Sequence, residues 1–148
     1  MKNLAIILFF ALVPSFASAT NWVSVSKAHV DTDTIKVYDG YISHDNFMEN
    51  SVGFGSLRHY LSAFVKVTSP NISAFAKLNP PETPVKTMTI QYVFNCKNSS
   101  YSVKAARSQL TNGKISTFNY NVTHSSQFNT IFPDSPIEEV ANFVCKYQ

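Results

Sequence analysis

The chain has 148 residues, enough for one domain with a buried core and too few for two. Hydrophobic residues make up 45% and aromatic residues 14%, a composition that excludes an intrinsically disordered chain. The formal charge is only +3 and the 12 basic residues are scattered, which argues against a nucleic-acid partner.

Residues 1–19 have the three parts of a secretory signal peptide. Lys2 precedes an apolar run from Leu4 to Val13, and Ala17-Ser18-Ala19 forms a small-residue cleavage site. The run is about ten residues long, shorter than the roughly 20 that a membrane-spanning helix needs. We therefore expect cleavage after Ala19 and an exported chain, periplasmic or secreted, whose domain covers 20–148 and has no membrane anchor.

The first half of the expected domain predicts short strands. Trp22–Ser26 and His29–Val37 have strand patterns, and Asp31–Thr34 supplies turn residues between apolar positions. Tyr38–Ser56 is rich in polar residues and predicts a long loop or an irregular hairpin. Leu57–Thr68 alternates apolar with other residues, which predicts a strand with one buried face.

The second half contains the clearest strand. Ser69–Pro84 is a polar stretch marked by prolines, and its Asn79–Pro84 segment cannot continue a sheet ladder. Val85–Cys96 alternates regularly and places its cysteine on the buried face. Tyr101–Leu110 and Ile115–Val122 flank Asn112-Gly113, a pair that favours the tight turn of a hairpin.

The C-terminal segment predicts a helix. Ser135 is suited to the N-cap, Pro136 to the first helical position, and Glu138 can reach back to the first turn. One apolar stripe follows at helical spacing, formed by Ile137, Val140, Ala141, Val144 and Cys145.

The chain has two cysteines, Cys96 and Cys145. They predict a disulfide, because an even number of cysteines in an exported chain usually forms disulfide pairs. A catalytic thiol or a zinc site lacks support, since no C-x-x-C pair and no histidine pair at ligand spacing are present. One cysteine lies on a buried strand face and the other on the helix stripe. We therefore predict an α+β domain, an antiparallel sheet with one C-terminal helix that the disulfide ties across it.

No pattern in the chain supports catalysis or a cofactor. His29, His44, His59 and His124 lie in distant segments, so we expect no metal site. There is no G-x-S-x-G motif and no glycine-rich phosphate loop, since the chain has only 4 glycines. We expect no catalytic residues and no cofactor; a small enzyme would require histidines and acidic residues to converge in a pocket.

The order of these features resembles the bacterial surface-adhesin E-like family. The features are a first strand led by Trp22, a second with Asp31–Ile35, a strand ending in Asn95-Cys96, a hairpin with Gly113 and a closing helix with Cys145. The resemblance implies a sheet of about six strands with a C-terminal helix. The family's best-known member is an outer-membrane lipoprotein that binds host matrix and serum proteins such as vitronectin, laminin and plasminogen. Here Thr20, and no lipid-anchoring cysteine, follows the expected cleavage site.

The resemblance places protein binding at roughly Gln91–Lys114, where the candidate binding residues are Lys97, Tyr101, Lys104, Arg107 and Lys114. In a regular strand Lys104 and Arg107 point to opposite faces, so they form one basic patch only if a bulge intervenes; otherwise they are solvated side chains. We expect an exported non-enzymatic binding protein that contacts extracellular matrix or serum proteins. The alternative is a soluble periplasmic protein that binds a small ligand or an envelope component.

Overall fold

The computed structural model describes residues 20–44, 47–49, 59–76 and 84–148. The expected signal peptide lies outside the described residues, as do parts of the predicted loop 38–56 and of the proline-rich stretch 69–84. Within the described ranges, no helix is both long enough and apolar enough to cross a membrane.

The described residues form nine strands and one α-helix. In chain order they are β1 (Trp22–Val25), β2 (Ala28–Val37), β3 (Ile42–His44), β4 (Phe47–Glu49), β5 (Tyr60–Thr68), β6 (Val85–Asn95), β7 (Ser100–Leu110), β8 (Ile115–Asn119), β9 (Asn129–Thr130) and α1 (Pro136–Val144). The main sheet has the order β1-β2-β5-β6-β7-β8, and β9 also pairs with β7. All of its pairs are antiparallel, which confirms the predicted sheet.

The main core lies on the face of the sheet that carries α1, called here the helix face. Residues of β5 and β6 alternate as predicted, and their pairing puts Val65 opposite Ile90 and Ala63 opposite Tyr92. These four side chains are almost completely buried. They pack in one cluster with the apolar stripe of α1, because alternate strand residues share a face.

The C-terminal helix begins and is held as predicted. Ser135 is the N-cap and its hydroxyl accepts a hydrogen bond from the Glu138 N–H at 3.3 Å. The Glu138 carboxylate accepts from the Asp134 N–H at 2.7 Å, one residue before the cap. Cys96 and Cys145 form the expected disulfide. The helix packs against β1 and β2, so it covers one side of the helix face.

A smaller apolar cluster lies on the opposite side of the sheet, called here the far face. It is formed by Tyr38, Ile42, Tyr60, Val93 and Val122, with Phe128 packed against it. The Tyr38 hydroxyl donates to the Val122 carbonyl at 2.8 Å. The predicted strand extends to Val122, but β8 ends at Asn119 and the chain then crosses to this cluster.

The turn predicted at Asp31–Thr34 is wrong, since these residues lie inside β2 and the turn falls at Ser26 and Lys27. Asp31 is buried, and its carboxylate accepts from the Asp33 N–H at 3.2 Å. The Thr34 hydroxyl donates to the Asp31 carbonyl at 2.7 Å. These local bonds accompany a shift in the β2–β5 register, so turn-forming side chains build a bulge within a continuous strand.

Candidate functional site

Strand β7 carries three of the five predicted binding residues, and the other two lie in turns at its opposite ends. Lys97 lies in the turn before β7, and Lys114 in the turn after it. A strand of 11 residues spans more than about 30 Å at roughly 3.4 Å per residue. The five residues therefore do not form a single patch.

A bulge in β7 brings two of them to the same face. The β6–β7 register passes from Gln91 opposite Ala105 to Tyr92 opposite Val103, so Lys104 is the extra residue. Its ammonium lies 5.0 Å from the centre of the Tyr38 ring, on the far face. Arg107 pairs with Thr89. The next residue, Ile90, lies on the helix face, so Thr89 and Arg107 lie on the far face with Lys104. The condition for a shared basic face is therefore met.

The two cations on this face differ in their surroundings. The Lys104 ammonium is 3.6 Å from the Asp39 carboxylate, in addition to its contact with the Tyr38 ring. Burial, and secondarily the Asp39 charge, raise the pKa of Tyr38. Arg107 is exposed, and in the described ranges no carboxylate forms an ion pair with it. The charge of Lys104 is thus partly balanced, whereas Arg107 is available to a partner.

The half of the sheet formed by β6 to β9 carries positive charge and has no acidic residues of its own. Residues 84–133 contain no Asp or Glu, and their five basic residues are Lys86, Lys97, Lys104, Arg107 and Lys114. The basic residues are scattered along the chain, so their own positions do not indicate a charged region. The absence of acidic residues over 50 consecutive positions is the sequence pattern that predicts it.

A mostly apolar groove lies on the part of the helix face that α1 leaves uncovered. Its volume is about 890 Å³. The floor comes from three adjacent strands and includes Met88, Ile90, Val103, Ala106, Leu110 and Phe118. Phe75 and Ala76 line one side, while Tyr120, Gln127 and Asn129 line the other. Tyr101, one of the predicted binding residues, also lines it. No pattern in the sequence predicted this groove.

One wall of the groove is fixed by a buried hydrogen bond. The short 3₁₀ helix Asn71–Ala74 leads into Phe75, whose carbonyl accepts from the Tyr92 hydroxyl at 2.9 Å. The Tyr92 side chain is fully buried, and the Tyr101 ring meets it edge-on with centroids 5.6 Å apart. Burial, and to a lesser extent Tyr101, raise the pKa of Tyr92. The hydroxyl is therefore neutral and remains a donor to the wall.

Strand β8 forms one edge of the main sheet and borders the groove. Phe118 is 51% exposed, Ile115 is 53% exposed, and Tyr120 just beyond the strand is 56% exposed. Ile115–Asn119 contains no charge and no proline, the residues that proteins commonly use to protect an edge strand. Exposed apolar residues at an unprotected edge are typical of a contact surface.

His124 and His29 take part in local structure. The His124 ring accepts from the Ser126 N–H at 3.1 Å and caps a short 3₁₀ helix. The His29 ring lies 3.1 Å from the Ser24 hydroxyl. In these ranges no group of three or more His, Cys, Asp or Glu residues is placed to hold a metal ion.

Comparisons with known proteins identify the fold. No protein-family model matches the chain, and no curated protein matches its sequence. A crystal structure of Haemophilus influenzae protein E matches 85% of this chain and 87% of its own, with a TM-score of 0.51. The fold is similar to that of protein E. Sequence identity to protein E is 11%, so the likeness shows the fold alone. It agrees with the fold that the surface-adhesin E-like resemblance implies.

Proposed function

We propose that the protein is an exported, non-enzymatic binding protein that contacts a protein partner through the groove and β8, together called the β8 surface. The observation that supports this best is the continuity of an apolar groove with an edge strand whose aromatic side chain is half exposed. Aromatic side chains such as Phe118 and Tyr120 supply large contact area and dominate the energy of many interfaces.

The charge of this half of the sheet supports a protein partner with acidic groups. Arg107 and Lys114 flank β8: Arg107 lies on the neighbouring strand, and Lys114 lies in the turn that leads into β8. Uncompensated positive charge accelerates association with an acidic surface and helps to select it. Of the five predicted binding residues, Tyr101, Arg107 and Lys114 are therefore the ones we assign to the contact. Host matrix and serum proteins are the proposed partners, by the resemblance to the surface-adhesin E-like family.

A second candidate function is the binding of a small apolar ligand in the periplasm. The groove volume of about 890 Å³ falls within the roughly 300–1,000 Å³ range of ligand pockets, and its lining is mostly apolar. Cell fractionation separates the two candidates, because a chain confined to the periplasm cannot contact host matrix.

The direct test is binding of the purified protein to immobilised laminin, vitronectin and plasminogen. Phe118→Ala removes the exposed ring of the β8 surface, and we expect affinity to fall by about tenfold or more. Phe132→Ala is the matched control, because Phe132 is 72% exposed and does not line the groove. Its affinity is expected to stay within about twofold of the wild type. Binding no stronger than that of an unrelated basic protein, or equal losses in the two variants, contradicts the proposal.

A further inference from the structure

The backbone hydrogen bonds at the two ends of the β7–β8 hairpin determine which groups of β8 face outward. The Leu110 N–H donates to the Lys114 carbonyl at 2.8 Å, and the Tyr120 N–H donates to the Lys104 carbonyl at 2.7 Å. In an antiparallel pair, the backbone N–H and C=O groups of one residue bond to the neighbouring strand, and those of the next residue point away from it. Even-numbered residues of β8 therefore bond to β7.

The odd-numbered residues Ile115, Thr117 and Asn119 consequently direct their N–H and C=O groups to the free edge. Ser116 and Phe118 use theirs in the ladder to β7, opposite Ser108 and Ala106. In the described part of the chain, no other segment forms a backbone hydrogen bond to the outward groups. These outward N–H and C=O groups can form antiparallel or parallel hydrogen bonds with the backbone of a short extended segment.

Side chains on the two faces of β8 define what such a segment must carry. On the far face, Thr117 pairs with Arg107. Lys114 adds a second positive charge just before the strand begins. An added strand would lie roughly 10 Å from β7, a distance that an arginine side chain and a partner's carboxylate span together. On the helix face, Phe118 and the groove accept apolar side chains.

The charge distribution favours a different protein over a second copy of this chain. Two copies that paired through β8 would bring both Arg107 side chains to the same face of one joined sheet. Residues 84–133 contain no acid, and the Asp39 carboxylate on this face lies beside Lys104, so it does not offset the repulsion between the two Arg107 side chains. An acidic segment from another protein meets the same charges with attraction.

We propose that β8 accepts an extended acidic segment of the partner as an added strand. The segment bonds through its backbone to Ile115, Thr117 and Asn119, directs acidic side chains toward Arg107, and places alternate apolar side chains over Phe118. The inference rests on the proposed function, because it specifies how the partner occupies the β8 surface.

A pair of substitutions at one position tests strand addition. Thr117→Pro removes an outward N–H without removing a bond to β7, since proline is tolerated where an edge N–H faces solvent. Thr117→Ala keeps that N–H and is the control. The probe is a capped seven-residue peptide that alternates glutamate with valine or phenylalanine, and its counterpart carries lysine for glutamate.

The glutamate peptide is expected to bind the wild type about tenfold tighter than the lysine peptide. Thr117→Pro should weaken its binding by about tenfold or more, and Thr117→Ala by less than about twofold. Amide hydrogen exchange on the wild type is an independent measurement that needs no variant. Bound peptide should slow exchange at Ile115, Thr117 and Asn119 and leave Ser116 and Phe118 unchanged.

Several results would overturn the inference. These are equal binding of the two peptides, no binding of the glutamate peptide at about 1 mM, equal affinities of the two Thr117 variants, or slowed exchange confined to other strands. If the wild type forms a dimer and Thr117→Pro dissociates it, the strand that pairs with β8 belongs to a second copy of this chain, and the proposed partner is wrong. If Phe118→Ala abolishes glycoprotein binding and Thr117→Pro does not, strand addition is wrong while the proposed function stands.

Discussion

Replacing Tyr92 with phenylalanine tests how the groove wall is held. The substitution removes one hydroxyl, which donates to the Phe75 carbonyl at 2.9 Å, and keeps the fully buried ring. Phe75 is itself 7% exposed, so water cannot readily replace the lost donor. Leaving a buried acceptor without its partner costs about 1–3 kcal/mol, and we expect the free energy of unfolding to fall by that amount.

Urea unfolding of the wild type and the variant, fitted with the same dependence of free energy on urea concentration, measures this loss. Tyr101→Phe is the control variant. Tyr101 is half-buried against Tyr92, and its hydroxyl makes no hydrogen bond within the described ranges. We expect this control to change stability by less than about 0.5 kcal/mol. Amide exchange at Phe75 and Ala76, whose N–H groups donate to the Ile72 carbonyl, should quicken in Tyr92→Phe. Equal stability of the two variants would refute the assigned role of the Tyr92 hydroxyl.

Two further predictions concern the disulfide and alkaline pH. Replacing Cys96 and Cys145 with alanine opens a link between residues 49 apart, and the chain-entropy argument gives a stability loss of about 4 kcal/mol; a urea-measured loss below about 1 kcal/mol contradicts it. The pKa values of Tyr92 and Tyr38 are raised in the folded chain, whereas both titrate near 10 when unfolded. Their contribution to stability is fully present below pH of about 10 and is lost above it, because the unfolded chain then binds fewer protons. Urea midpoints across this range should fall less steeply in Tyr92→Phe, and an unchanged slope would count against the effect.

The elements with a strong periodic or capping pattern could be predicted from the sequence. The alternation in Val85–Cys96 placed its cysteine correctly, and the caps Ser135 and Pro136 located the helix start. Both depend on neighbouring residues only. The Asp31–Thr34 prediction failed because the same local side-chain bonds that make a turn also stabilise a bulge within a paired strand.

The bulge at Lys104 changes the pattern of apolar residues along β7, and a regular alternation does not predict this change. Among the apolar residues of β7 that line the groove, Tyr101 and Val103 stand at odd positions, whereas Ala106 and Leu110 stand at even ones. Such a change of parity within one strand indicates an extra residue between the two phases.

The groove itself could not be predicted, because it depends on where α1 lies across the sheet. The apolar stripe of the helix shows which side is buried but not which strands it covers. Packing over β1 and β2 leaves the β6–β8 part of the helix face uncovered, and only the tertiary arrangement determines that.

The disulfide also affects what happens when the chain is cut. Strands β7, β8 and β9 all lie between Cys96 and Cys145, so they belong to one covalent loop. A single protease cut anywhere in that loop, including the exposed turn around Gly113, leaves the two fragments joined through sulfur. A nicked molecule therefore keeps the whole β8 surface attached to the rest of the sheet.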